Sequence, residues 1–163
     1  MQAQTEAFLR LAGDPVRFPL FMLAKLPSAF LSGVRITDIS ESACTVKVPY
    51  RWFTQNPFRS TYFACLAMAA ELSTGALFMA HTYKSQPSVS ILVTGMEATF
   101  FKKAAGTSFF VCTEGSKIRE AIALTGQSGQ AGTFRATSTG RNRDGDIIAE
   151  FHFVWSFKSR LRA

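Results

Sequence analysis

At 163 residues, with 47% hydrophobic and 18% charged side chains, the chain suits one domain, residues 1–163, and is too apolar to be disordered. Its net charge of +7 is uneven: residues 1–101 hold eight Lys/Arg against six Asp/Glu, and residues 102–163 hold ten against five. A basic surface attracts polyanions, but no Arg/Lys-rich recognition helix or aromatic RNA-binding motif accompanies it, so nucleic acid is not an expected partner.

Residues 1–31 read as an N-terminal helical extension, with an amphipathic helix over 4–12 and a second helical segment over 18–31 interrupted at Pro27. They lack the basic start, apolar run and small-residue cleavage site of a signal peptide. The period then changes. "VRITDIS" and "ACTVKVPY" are short and β-branched, and the second puts Cys44, Val46, Val48 and Tyr50 on one face. The intervening residues 40–42, "SES", suit a hairpin turn. Next comes "NPFRSTYFACLAMAAELSTGALFMA", whose Ala, Leu and Met content predicts a long helix over 61–80. Apolar residues occupy nearly every side of it, as in a helix buried all round. Ser60 and Thr61 suit its N-cap. The stretch approaches the ~20 residues of a bilayer span. Glu71, Ser73, Thr74 and Gly75 at its centre argue against a membrane segment.

"PSVSILVTGMEATFFKK" predicts a long strand, with "GTSFFVCTEG" as its partner across a "KKAAG" loop. "SKIREAIALTG" predicts a short helix capped by Ser116. "AGTFRATSTG" and "DIIAEFHFVWSFK" predict a final hairpin around "RDGD", since Asp-Gly suits the turns that match strand twist. In the last strand Ile147, Ala149, Phe151, Phe153, Trp155 and Phe157 are expected to face inward. The class is therefore α+β: an antiparallel sheet of about six strands wrapped around one long central helix, with an N-terminal helical segment. The 16 Phe residues supply its core. Three cysteines (Cys44, Cys65 and Cys112) are odd in number and lack ligand spacing, which points to a reducing compartment and a cytoplasmic location.

Glu71 is the one charged residue between Ser60 and Tyr83. Such a carboxylate is a catalytic group, a structural acid paired with a cation or hydroxyl, or an acid left solvated on an exposed helix turn. Asn56 precedes Pro57, where a turn role competes with one in positioning a reactant. Tyr62 donates to a ligand or packs; the amides of Tyr62, Phe63 and Ala64 open the helix and are its free donors. Ser73 and Thr74 lie within a turn of Glu71, so Thr74 is a candidate contact, with bonding to its own helix backbone as the duller role. His81 suits the helix C-terminus and has no second ligand at metal spacing, so no metal is expected. Cys65 has nothing near it in sequence to activate it. Lys102, Lys103, Arg141 and Arg143 are either phosphate-binding or solvated turn charges.

The segment "VPYRWFTQNPFRSTYFACLAMAAELSTG" resembles the hot-dog fold acyl-CoA thioesterases, above all the uncharacterised branch related to phenylacetyl-CoA-type enzymes. Those proteins open their central helix with His-Gly-Gly or His-Ala and reach Ala-Glu or Ala-Asp about two and a half turns later. Tyr62 falls where the family often has His, Phe63 where it often has Gly, and Glu71 on the catalytic acid. "FFKKAAGTSFFVCTE" is similar to the family's long strand, loop and return strand, and "TFRATSTGRNRDGDIIAEFHF" to its closing hairpin. The likeness covers roughly residues 30–158. It implies a hot-dog domain hydrolysing an acyl-CoA or acyl-carrier thioester, with no cofactor beyond the coenzyme A of the substrate. Glu71 would be the acid and the Phe63 amide the oxyanion donor, with Asn56 assisting. Ser60, Thr61, Tyr62, Ala64 and Thr74 would contact substrate, and Lys102, Lys103, Arg141 and Arg143 the phosphates. Eight helical residues separate Glu71 from Phe63 by about 12 Å, so one carbonyl meets both groups only across two chains. A homodimer, or a tetramer built as a dimer of dimers, is therefore expected. The alternatives are a non-catalytic hot-dog protein holding an acyl or aromatic ligand or a protein partner, and a hydratase or dehydratase, for which His81 is poorly placed.

Overall fold

The computed structural model describes residues 2–128 and 130–159. Helix α1, Gln2–Gly13, buries Thr5, Phe8 and Ala12 along one side, and its Phe8 ring meets Tyr83 at 5.5 Å between centroids. The Asp14 carboxylate accepts the amides of Val16 and Arg17 and so starts α2, Arg17–Lys25. Leu26 leaves helical geometry, and Pro27, whose ring fixes φ and lacks an N–H, begins α3, Pro27–Leu31.

Strands β1 (Arg35–Ile39) and β2 (Cys44–Val48) form the first hairpin, with Ser40 Oγ accepting the Ala43 amide in its turn. A short 3₁₀ turn, Trp52–Thr54, leads into α4, Phe63–Thr82. Then follow β3 (Val89–Phe100), β4 (Ser108–Cys112), α5 (Gly115–Ser128), β5 (Gly132–Arg141) and β6 (Ile147–Ser159). The sheet is antiparallel throughout, in the order β1-β2-β4-β5-β6-β3, and curls around α4 in the hot-dog arrangement. The inner faces of β2, β4 and β6 alternate as expected, burying Cys44, Val46 and Val48, then Phe110 and Cys112, then Phe151, Phe153, Trp155 and Phe157. Phe78 of α4 reaches the rings of Phe134, Trp155 and Phe157 within 6.3 Å. Each such ring contributes roughly 1.5–3 kcal/mol through burial. The last hairpin turns where Gly145 takes φ +89° and Asn142 Oδ1 accepts the amides of Asp144 and Asp146.

Several expectations need correction. The partner of β3 is β6, not β4: the twelve-residue β3 finds a full-length antiparallel mate only in the thirteen-residue β6, while the five-residue β4 lies between β2 and β5. Ile147 is 40% exposed and Ile148 is buried instead, because a bulge sets Arg141 opposite Ile147 and Gly140 opposite Ala149 and breaks the alternation. Helix α5 starts at Gly115, so Ser116 lies within its first turn rather than capping it. The central helix runs two residues later than 61–80 at each end. It is long and apolar enough to cross a membrane, yet most of it is wrapped by the sheet. Nor is it closed all round: Phe63, Ala64, Ala67, Met68 and Glu71, at helical spacing, form a half-open stripe.

Candidate functional site

The start of α4 is set by the chain before it. The Thr61 amide and hydroxyl both donate to Ala104 O, and the Tyr62 amide donates to Thr54 O at 2.7 Å. A β-bridge pairs Gln55 with Thr61. These bonds hold residues 55–61 extended, so the cap position falls on Tyr62, and Ser60 and Thr61 are not the N-cap. The Ser60 hydroxyl donates instead to Asn56 Oδ1. That oxygen also accepts the amides of Phe58 and Ser60, so Asn56 organises this loop through its side-chain oxygen.

As a result the amides of Phe63 and Ala64, in the first turn of α4, have no acceptor among the described residues. Phe63, but not Ala64, lines a cavity of about 680 Å³, together with Asn56, Phe58, Ser60, Thr61, Tyr62 and Leu66, and with Phe100 to Ala104. The helix dipole adds partial positive charge at this end. The wall is mostly apolar, and Tyr62 and Phe63 meet edge to face at 5.1 Å. Lys102 and Lys103 stand at the rim. Lys102 is paired with Asp146, while Lys103 donates to Phe58 O at 3.3 Å. Arg141, whose guanidinium donates to Gly145 O, and Arg143 are on the hairpin that carries Asp146, so the four cations share one end of the sheet. Sequence reasoning missed Phe58, Leu66, Phe100 and Phe101. The "FF" before "KK" was a usable signal, since it breaks strand alternation at the end of β3.

Glu71 does not line this cavity. It borders a second one of about 220 Å³ between α4 and the α2–α3 junction, with Lys25, Leu26, Pro27, Ser28, Ala29, Met68 and Leu72. Its carboxylate has no hydrogen bond or ion pair among the described residues, and burial raises its pKa above the ordinary value of 4.5. An acid held in an ion pair is thus not what the described residues display, while Glu71 stays half open on the exposed stripe of α4. Gly75, one turn on, makes room for it: a Cβ there would lie 3.3 Å from Glu71 Oε1 and 3.2 Å from the Trp155 ring.

Thr74 belongs to the core rather than to either cavity. Its hydroxyl donates to Glu71 O and accepts from Trp155 Nε1 at 3.1 Å, because an indole N–H buried against α4 requires an acceptor. His81 is also buried, its Nε2 3.1 Å from Glu41 O, and burial lowers its pKa. The Cys65 thiol lies 3.9 Å from Ser32 Oγ with its pKa raised by burial, so it is a poor nucleophile. No three His, Cys, Asp or Glu side chains converge among the described residues to hold a metal.

Residues 16–156 match a family described as a domain of unknown function, DUF4442. No curated protein matches the chain. Solved structures are similar to it over nearly its whole length. A protein of unknown function from Pseudomonas aeruginosa, described as a probable thioesterase, is 20% identical, and the likeness covers 96% of each chain at a TM-score of 0.72. A protein of unknown function from Chlorobaculum tepidum is 11% identical over 96% of this chain and 94% of that one, at a TM-score of 0.75. A thioesterase from Haemophilus influenzae is 12% identical over 90% of this chain and 91% of that one, at a TM-score of 0.65. Likeness at these identities establishes a shared fold.

Proposed function

The chain belongs to the DUF4442 family, and on that footing we propose that it hydrolyses a thioester of the acyl-CoA or acyl-carrier class at a site built by two copies. The observation that carries this reading is the Glu71 carboxylate, partly buried yet without a partner among the described residues. Its complement is the free amide of Phe63 at the 680 Å³ cavity, with that of Ala64 next to it in the chain. That similar structures are described as thioesterases supports the same chemistry.

In the proposed reaction the Glu71 carboxylate takes a proton from water, and the oxygen of that water attacks the thioester carbon. Negative charge gathers on the carbonyl oxygen and is met by the Phe63 amide, with Ala64 beside it. The carbon–sulfur bond then breaks, and the thiolate leaves with the proton that Glu71 holds, giving carboxylic acid and thiol. Glu71 and Phe63 are too far apart along one helix to serve one carbonyl, so the acid of one copy faces the amide of the other. The unpaired edge of β3, on which Met96 and Phe100 are about half exposed, supports such pairing. Asn56, Ser60, Thr61 and Tyr62 border the thioester, and Lys103 and Arg143, which have no acid partner among the described residues, are better placed to hold phosphate than the Asp146-paired Lys102.

A second reading, a ligand-binding protein without hydrolysis, is favoured by one feature: the bulky Tyr62 and Phe63 stand at the helix opening, both about half exposed. A panel of acyl-CoA thioesters with free-thiol detection, run on wild type and Glu71→Gln, separates the two. Hydrolysis predicts thiol release by wild type and loss of it in the variant. Silence from both at every chain length supports binding alone, and equal release by both removes Glu71 from the mechanism.

A further inference from the structure

Helix α2 buries Phe18 and Met22 on its inner side, yet its outer side is apolar as well. Val16, Leu20 and Leu23, spaced i, i+4 and i+7, are 64%, 60% and 45% exposed. Leu31 at the end of α3 adds 53%. The Arg51 guanidinium donates to Leu31 O at 2.7 Å and so anchors the turn that carries Trp52, which is 82% exposed. An ordinary surface helix carries polar residues on this side. Here, from residue 14 to residue 37, the charges are Asp14, Arg17, Lys25 and Arg35, and Asp14 pairs with Arg17 at 3.7 Å, so cations exceed acids by two. Arg17 and Lys25 stand at the two ends of α2, the Arg17 side chain largely exposed.

We propose that the outer side of α2, with Leu31 and Trp52, docks on an anionic lipid bilayer, with α2 lying in the plane of the interface. An apolar stripe bounded by an excess of cations is the pattern of a helix that sinks its leucines among acyl chains while its charges meet lipid phosphates. Tryptophan suits the same depth, because its ring is apolar and its N–H polar. Charge favours lipid over a second copy of this chain. A twofold pairing through this stripe brings the cations of one α2 toward those of the other, and Asp14, the acid at the start of the helix, is already paired with Arg17 of its own chain. The same segment borders the Glu71 cavity through Lys25 to Ala29, so the docked face and that carboxylate lie on opposite sides of one helical layer. This inference is read by binding and stands whether or not the protein hydrolyses thioesters.

The test is co-sedimentation of the full chain with vesicles of phosphatidylcholine, with and without phosphatidylglycerol, alongside tryptophan emission. Trp155 is buried, so a blue shift on adding vesicles reports Trp52, and Trp52→Phe abolishes it. Binding to anionic vesicles, weakened by salt, is expected. Leu20→Glu with Leu23→Glu weakens it about tenfold or more. Arg17→Gln or Lys25→Gln weakens it about fivefold at low salt, on anionic vesicles only. Both leucines are on the surface, so the double variant keeps its helical circular dichroism; if it does not, Leu20→Ser alone decides in the same assay. The proposal fails if wild type sediments with neither vesicle, or if the leucine variants bind as wild type does. It also fails if those substitutions dissociate a wild-type oligomer in the ultracentrifuge and leave vesicle binding unchanged, which would assign the stripe to a second copy.

Discussion

The two halves of α4 are both largely apolar and have opposite surroundings. From Leu72 to Thr82 the helix is almost wholly buried, and its polar groups are paired: Ser73 with Ser138 at 2.7 Å, Thr74 with Trp155, His81 with Glu41 O, and Thr82 with Phe78 O. From Phe63 to Glu71 one side is half open, and two amides and a carboxylate have no partners among the described residues. Buried polar groups that serve stability are satisfied, whereas unsatisfied ones gathered beside cavities are where chemistry concentrates. The contrast separates a stabilising half from a reactive half within one helix.

Substitutions on the two sides therefore have different readouts. Phe78→Ala, in the closed half, is expected to cost about 3–5 kcal/mol in urea denaturation, because three aromatic neighbours would border the void. A cost below about 1 kcal/mol would mean that the closed half is not the packed one. Glu71→Gln, in the open half, is expected to lower thioester hydrolysis by roughly a hundredfold or more.

Its stability effect has the opposite sign. Burial raises the Glu71 pKa above 4.5, so between 4.5 and the raised value the folded protein keeps a proton that the unfolded chain releases. Wild-type stability falls as pH rises through that window, and the cost persists above it. Denaturation midpoints of wild type and Glu71→Gln should converge in acid and separate above it, the variant being the more stable. A wild-type advantage at neutral pH would reveal a stabilising partner for the carboxylate.

Thr74→Val removes the acceptor of Trp155 Nε1 and is expected to cost about 1–3 kcal/mol, with hydrolysis changed less than by Glu71→Gln. Gly75→Ala tests the boundary between the halves. The gain in helix propensity of about 1 kcal/mol is offset by crowding of Trp155, so stability moves little, whereas the displaced Glu71 carboxylate lowers activity. Lys103→Ala has the smallest expected effect. It weakens coenzyme A binding by a few-fold at low salt and by nothing measurable at high salt, where a surface charge is screened.

The segments whose shape follows from their own residues were legible. Alternation named the inner faces of β2 and β6 because each strand buries one side against α4. The turn at Gly145 was written as Asp-Gly, and Pro27 marked the break between α2 and α3. The apolar run with one acid marked α4 and singled out Glu71. Thr74 bonds its own helix backbone, one of the two roles its place in the sequence offered, but its neighbours cannot reveal that Trp155, eighty-one positions away, also needs its hydroxyl. Ser60 and Thr61 look like caps, but the loop around Ala104 had already claimed Thr61, and Asn56 the Ser60 hydroxyl.

By itself the sequence determined the six strands, the buried helix and the place of its lone carboxylate, since hydrophobic period, turn chemistry and helix propensity act over a few residues. Tertiary structure decided the rest: that β3 pairs with β6, that a bulge buries Ile148, and that α2–α3 borders Glu71 without supplying a cation to its carboxylate. Those outcomes depend on strand lengths competing for mates and on which side of an apolar helix the remaining chain leaves uncovered. Both are settled by contacts between residues far apart in the chain, which no local pattern encodes.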